Sequence, residues 1–373
     1  MSIINLRRFV DINLQYHQKS SISSNRPVTV LLSSEGSSST PVRTYVTYRI
    51  DNEGNYVFGY HASSSSAITY ESLEDFPLAE AYAKIYFENN GNKLKIIYGA
   101  TSENATSIVN NLLNEEIVVA GCGNITYAVL KGIAETRNSS TSIYGINEKI
   151  LLGGTNSIDD DIVKNFAAKY SSVSSAEATI AAYLSNINLD GVDTVNDYAF
   201  TKENITPEAS DDTVLGNVLD NNMNVVMNVT NANINLGGNL KNGESVVHKF
   251  ALIVLQQTLT ASVFNLLLTK IKGNRGLAAI QSTVANEMQK YLRNGYLTTD
   301  KIWKDETLTV SYNFKNYVII EKDTPLIEGY RFVSLPISSL SEADIEARKT
   351  PPMYLIVAES YGIRVVTING EVI

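Results

Sequence analysis

The side chains best suited to chemistry are few in this chain, and their spacing decides what they can do. A strand-like run, Glu116–Ala120, leads into Gly121-Cys122-Gly123 and then into a helical pattern at Ala128–Thr136. A glycine turn between strand and helix can bring a dinucleotide pyrophosphate onto a helix N-terminus. That fingerprint needs a third glycine, and here the run continues Asn124-Ile125-Thr126. Nor does an acidic residue close a second strand about 20 residues on, where a ribose would be held. The spacing predicts a tight strand-to-helix turn instead. Gly99 and Gly153-Gly154 mark two further turns, and neither leads into Gly-Lys-Ser/Thr, the phosphate-loop signature.

Asp159-Asp160-Asp161 has the chemistry of a hard-cation site but not the spacing of a calcium loop. It reads as the charged first turn of a helix. The three histidines, His17, His61 and His248, stand apart, and Cys122 is the only cysteine. None has a partner at metal-ligand spacing, and no Gly-x-Ser-x-Gly elbow is present. Structural roles are expected for the three histidines. The sequence therefore offers no catalytic residue, no cofactor site and no metal site.

Composition narrows the function further. The net charge is −9 and the pI about 5.0, which argues against nucleic acid as a partner. One cysteine allows no disulfide framework and fits assembly in a reducing cytosol. Sequons at Asn104, Asn124, Asn138 and Asn228 read as polar surface, because no secretory pattern opens the chain. Phe250–Leu268 is uncharged, but it carries Gln256, Gln257, Thr258, Thr260, Ser262 and Asn265. It is expected to be a buried core helix, not a membrane span.

The elements that would position these residues fall into two halves. Val28–Leu32 is a continuous apolar strand. Val42–Ile50 and Tyr56–Tyr60 alternate around Asp51-Asn52-Glu53-Gly54, a hairpin signal. A second Ser run, Ser63–Ser66, follows. Helices are predicted at Leu78–Phe87, Thr106–Leu113, Ala128–Thr136, Asp160–Lys169 and Ala176–Leu184. Strands are predicted at Lys93–Tyr98, Glu116–Ala120, Lys149–Leu152 and Asn224–Val229. This alternation implies an α/β domain with a mostly parallel sheet. Asn221–Gly243 reads as strand plus loop. Beyond it the pattern changes to two long helices, Ser245–Lys270 and Gly276–Asn294, with Gly273 as a stop and Gly276 as a turn. Strands at Thr307–Phe314, Tyr317–Glu321 and Tyr330–Pro336, a polar helix at Ser339–Lys349 and a strand at Met353–Ala358 complete an α+β C-terminal unit. The expected organisation is an arm and Ser-rich linker over 1–25, an α/β domain over 26–244 and a C-terminal module over 245–373.

Both ends look like strands in search of a partner. Phe9, Val10, Ile12, Leu14 and Tyr16 lie in an alternating N-terminal run set off by the linker Lys19–Asn25. Ile363, Val365, Val366, Ile368 and Val372 lie in a β-branched C-terminal run, Gly362–Ile373. Unpaired strand edges are templates for other chains, so these arms are expected to add to the sheets of neighbouring copies. Tyrosine is abundant, including Tyr98, Tyr127, Tyr144, Tyr291, Tyr296, Tyr312, Tyr317, Tyr330, Tyr354 and Tyr361. It suits half-wet interfaces, and it equally suits ordinary strands.

One segment carries a resemblance. Leu340-Ser341-Glu342-Ala343-Asp344-Ile345-Glu346-Ala347-Arg348-Lys349-Thr350-Pro351-Pro352 is similar to the form Leu-Ser-x-Ala-Asp-x-x-x-Arg-x-x-x-Pro found in contractile phage tail sheath proteins. There it precedes a strand and then a glycine-led strand. Here the latter is Gly362-Ile363-Arg364-Val365-Val366, without the histidine many relatives carry. The two long helices, the Arg43–Tyr48 strand, Phe58-Gly59 and Leu78–Phe87 also resemble parts of that family. The chain is short for a sheath, which implies that large outer domains are missing.

The resemblance implies a mechanical role. Subunits would polymerise as hexameric rings stacked around a tail tube protein, meeting baseplate and tail terminator proteins at the ends. They would contract without nucleotide to drive the tube through the host envelope. The helix bearing Glu342, Ile345, Glu346, Arg348 and Lys349 would face the tube, and helical spacing would set Glu342, Ile345, Glu346 and Lys349 on one stripe. No cofactor, nucleic acid or membrane insertion is implied. The location would be the virion tail, after assembly in host cytoplasm. Two rivals remain at this point: a tail tube or baseplate subunit, and a doubly wound nucleotide-binding enzyme.

Overall fold

A computed structural model describes residues 27–62, 67–139, 149–158, 165–208, 212–269 and 273–360. The N-terminal arm with His17, the Ser63–Ser66 run, Asp159-Asp160-Asp161 and the terminal strand Gly362–Ile373 lie outside these residues. Among the described residues the chain forms two compact units. One comprises 27–187 and 196–250, the other 188–195 and 251–360.

The first unit carries ten strands: β1 (Thr29–Ser33), β2 (Arg43–Ile50), β3 (Tyr56–His61), β4 (Ile68–Ser72), β5 (Leu94–Ile97), β6 (Val118–Cys122), β7 (Ile150–Thr155), β8 (Phe166–Tyr170), β9 (Asn224–Val229) and β10 (Ala232–Leu236). Its helices are α1 (Pro77–Glu88), α2 (Ala105–Asn110), α3 (Tyr127–Ser139), α4 (Ala178–Asn186) and α5 (Asp212–Asp220). The strands make one sheet in the order β10-β9-β8-β7-β6-β1-β5-β2-β3-β4. From β5 to β9 every pairing is parallel, and the additions at both edges are antiparallel. Parallel strands covered on both faces need continuous apolar runs. β1 supplies one, with all of Thr29–Ser33 buried between β5 and β6. Val30, Leu32, Val119, Leu151, Phe166 and Val225 share one core with α2, α3 and α5. The β2–β3 turn is closed by Asp51, whose Oδ1 accepts from the Glu53 and Asn55 amides at 2.9 Å each.

One expectation is overturned here. Instead of a helix running to Lys169, residues Phe166–Tyr170 form β8, parallel to β7. Phe166, Ala167 and Ala168 are wholly buried, so tertiary burial overrode a local pattern compatible with either element. β4 and α5 form where no element is expected from local pattern, and β10 forms in the Asn- and Gly-rich stretch expected to be loop.

The second unit is built on helices. α6 (Val246–Leu268) begins in the first unit and continues into the second. It is long and apolar enough to cross a membrane by composition alone. Yet every residue from Lys249 to Thr260 is buried within the protein, Gln256 and Gln257 included. A helix apolar on all sides belongs in a core or a membrane, and here the protein itself covers these turns. α7 (Gly273–Arg293) is amphipathic and buries Gly276, Ile280, Val284, Glu287, Met288 and Tyr291. Gly273 therefore opens α7, at φ 52°, and does not end α6; Gly276 is inside the helix and is not a turn. The segment 188–195 joins this unit through Asp193 N to Arg293 O (3.0 Å) and Asn294 Nδ2 to Leu189 O (2.8 Å). Two antiparallel pairs follow, β11 (Leu308–Tyr312) with β12 (Lys315–Ile320) and β13 (Tyr330–Ser334) with β14 (Met353–Val357). They share a core of Ile319, Ile320, Leu326, Leu335, Ile356 and Ala358.

Candidate assembly interface

The segment singled out by sequence forms a shorter helix than its pattern suggested. A 3-10 turn, Ile337–Ser339, precedes α8 (Glu342–Glu346). Ser341 caps α8: its Oγ accepts from the Asp344 amide at 3.1 Å and donates to Asp344 Oδ2 at 2.7 Å. An N-cap serine satisfies one of the helix's unpaired amides, and Asp344 adds negative charge where the helix dipole favours it. Lys349 Nζ reaches back to Asp344 Oδ1 at 2.8 Å, and the Tyr312 hydroxyl donates to Asp344 Oδ2 at 3.0 Å. Asp344 thus collects three donors. The Lys349, Ser341 and Tyr312 hydrogen bonds hold its carboxyl well below the usual carboxylate range, and the same contact raises Lys349.

This geometry corrects the expected stripe. Arg348 is left-handed at φ 54°, so the helix ends before it and Lys349 folds back onto Asp344. Glu342, Ile345 and Glu346 remain together on an exposed face. Pro351, buried, then starts the chain into β14.

The tyrosines divide in a way composition did not show. Tyr98, Tyr291 and Tyr296 are buried core residues, whereas Tyr312, Tyr317, Tyr330 and Tyr354 are half-buried around the two strand pairs. Tyr144, Tyr361 and the arm residues Phe9, Val10, Ile12, Leu14, Tyr16, Ile363, Val365, Val366, Ile368 and Val372 lie outside the described residues.

The turn after β6, the one with a glycine pattern like a nucleotide site, is filled by the protein itself. Gly123 has φ 67°, and a Cβ there would come within 2.2 Å of Ser34 Oγ, which accepts from the Asn124 amide at 2.9 Å. The glycine serves this internal contact. Glu35, just after β1, receives the Leu78 and Ala79 amides at 3.0 and 2.9 Å. Its carboxylate occupies the N-terminus of α1, the kind of position that would bind a phosphate. Beside it, a cavity of about 390 Å³ opens beyond β6, β7 and β8. Among the described residues its lining includes Cys122, Gly154, Thr155, Ser172 and the buried Glu177, and no cation. Burial pushes the Cys122 thiol up to about 11 and the Glu177 carboxyl up to about 7. An inert thiol and an acid are poor equipment for binding phosphate.

With this geometry in view, the similarities to known proteins fall into place. Across 94% of this chain and 95% of the other, the fold matches the helical sheath of the anti-feeding prophage in its contracted state, with a TM-score of 0.60 at 12% identity. A chain of the anti-feeding prophage baseplate matches equally, with a TM-score of 0.60 at 11% identity over 100% and 99% of the two chains. The fold is thus the one these two chains share. Residues 247–372 also match the family described as E217 tail sheath protein gp31-like, C-terminal domain. By sequence in its C-terminal part and by fold along its length, the chain resembles the contractile tail sheath family. No curated protein sequence matches it.

Proposed function

We propose that this chain is a structural subunit of a contractile tail sheath. The observation that carries the reading is the agreement of two independent signals: a sheath family match over 247–372 and a sheath fold over nearly the whole chain. In this reading copies of the chain assemble as hexameric rings stacked around a tail tube protein, with baseplate and terminator proteins at the ends. The arms at Phe9–Tyr16 and Gly362–Ile373 add strands to the sheets of neighbouring copies. Main-chain hydrogen bonds then link subunits without any reactive site. The self-filled turn at Gly123 and the Glu35-capped helix support a role without nucleotide chemistry. Work would come from an extended packing that relaxes to a contracted one, since packed interfaces switch between discrete arrangements.

α8 faces the tube in this reading and meets it through Glu342, Ile345, Glu346 and Arg348, all exposed. Lys349 instead stabilises the helix end through Asp344. Negative-stain microscopy of the purified protein tests the whole proposal. Long hollow tubes with a cog-like cross-section are expected; a protein that remains monomeric at every concentration and salt tried would overturn it.

A further inference from the structure

We propose that Phe314, at the tip of the β11–β12 hairpin, is an apolar anchor on the same docking surface as α8. The partner there must then offer an apolar socket beside cations that face Glu342 and Glu346. The inference rests on the reading that α8 faces the tail tube.

The hairpin turn is two residues long, with Tyr312 paired to Lys315 across it. Both central residues are left-handed, Asn313 at φ 47° and Phe314 at φ 61°. Such a turn favours Asn followed by Gly. Asn313 obeys that preference and Phe314 does not. A bulky residue in the left-handed region is a genuine outlier, and residues held this way cluster at functional sites. The ring is also fully in water, at 108% relative exposure. Phe314 thus combines backbone strain with complete aromatic exposure. Burial against another molecule offsets both.

The tip is tied to α8. Asn313 Nδ2 donates to Ser339 O at 2.7 Å, just before the helix, and Tyr312 donates to Asp344 within it. Hairpin and helix are therefore held as one body. Ile345, 56% exposed on α8, adds a second apolar group. The Asp344–Lys349 pair satisfies itself, which leaves Glu342 and Glu346 as the acidic groups of the helical stripe. A surface of one projecting ring beside Glu342, Glu346 and the exposed Arg348 fits a partner with an apolar socket and a rim that offers cations to the two carboxylates and an acceptor to the guanidinium.

The test uses assembled particles and tubes stripped of sheath from the same particles. Phe314→Gly removes the ring and suits the turn, so its unfolding temperature should be no lower than that of the parent protein. Polymerisation without tube should be unchanged. Retention of extended sheath on tubes, read by co-sedimentation, should fall roughly tenfold or more. The loss should persist at low and high salt, because apolar contact is not screened. Phe314→Tyr should retain most binding. If Glu342→Lys with Glu346→Lys loosens the tube while Phe314→Gly does not, the anchor is refuted and the α8 reading stands. If neither does, both fail. If Phe314→Gly abolishes polymerisation without tube, the ring serves a second copy of this chain and the tube assignment is overturned.

Discussion

Glu177 shows how far a single residue can depart from its sequence context. It is 5% exposed at the start of α4, and its Oε2 has no hydrogen-bond partner. That oxygen lies where a Cβ on Gly154 would be only 2.5 Å away. Burial raises its pKa from 4.5 to about 7. The folded protein then holds a proton that the unfolded chain releases. Its stabilising contribution is complete below pH 4.5 and is lost as pH rises through about 7. Glu177→Gln keeps the shape without the charge. Its stability relative to the parent should climb across that window and level off at roughly 3 kcal/mol in its favour. Urea unfolding across the range measures this; parallel curves for the two proteins would show that Glu177 ionises freely. A second buried group behaves differently, because it is fully paired. Lys169 Nζ donates to both Glu203 oxygens (2.9 and 2.7 Å), to Tyr198 (3.0 Å) and to Asn235 (2.9 Å). This knot ties the excursion through Tyr198 and Glu203 to β8 and β10. Neither residue was recognisable from sequence, since burial of a charge depends on distant partners.

Elements tell a mixed story, with physical reasons on both sides. β1, α1, β9, α6 and β14 followed from apolar period and length within a residue or two. α8 did not reach its expected length, because the left-handed Arg348 and the Asp344–Lys349 bond end it early. The consequence for docking is specific. Charge reversal at Glu342 and Glu346 should loosen extended sheath on its tube in a salt-dependent way while sheath polymerisation survives; particle micrographs would show empty contracted sheaths. Among the described residues the two strand pairs of the second unit have two strands each, and a two-stranded pair by itself is marginal. In the proposed assembly, strands supplied by neighbours complete them. Val366→Pro in the terminal arm removes a ladder donor, so assembly should fail while circular dichroism of the α/β unit is unchanged. Normal tubes from that variant would count against the pairing.

At the scale of the molecule, two units share α6, and a single arm at each end is proposed to weave copies together. Deletion of residues 1–20 should therefore leave a folded protein that no longer polymerises, as read by sedimentation velocity. Tubes of ordinary length from the truncated chain would remove the N-terminal arm from the mechanism.

The sequence by itself determined what short-range periodicity can carry. The continuous apolar run of β1 required a strand buried on both faces, and the β2–β3 hairpin followed from Asp51 and Gly54. The missing third glycine after Gly123 weighed against a dinucleotide site, and the Leu340–Pro352 pattern pointed to the sheath family. Tertiary structure alone decided what depends on neighbours distant in the chain. Phe166–Tyr170 became a strand because β7 and β9 bury it. Segment 188–195 joined the second unit through Arg293 and Asn294. Lys349 left the helical stripe because Asp344 lies within reach. Phe314 was placed at an exposed, strained tip by the pairing of two strands whose periodicity says nothing about where their turn will point.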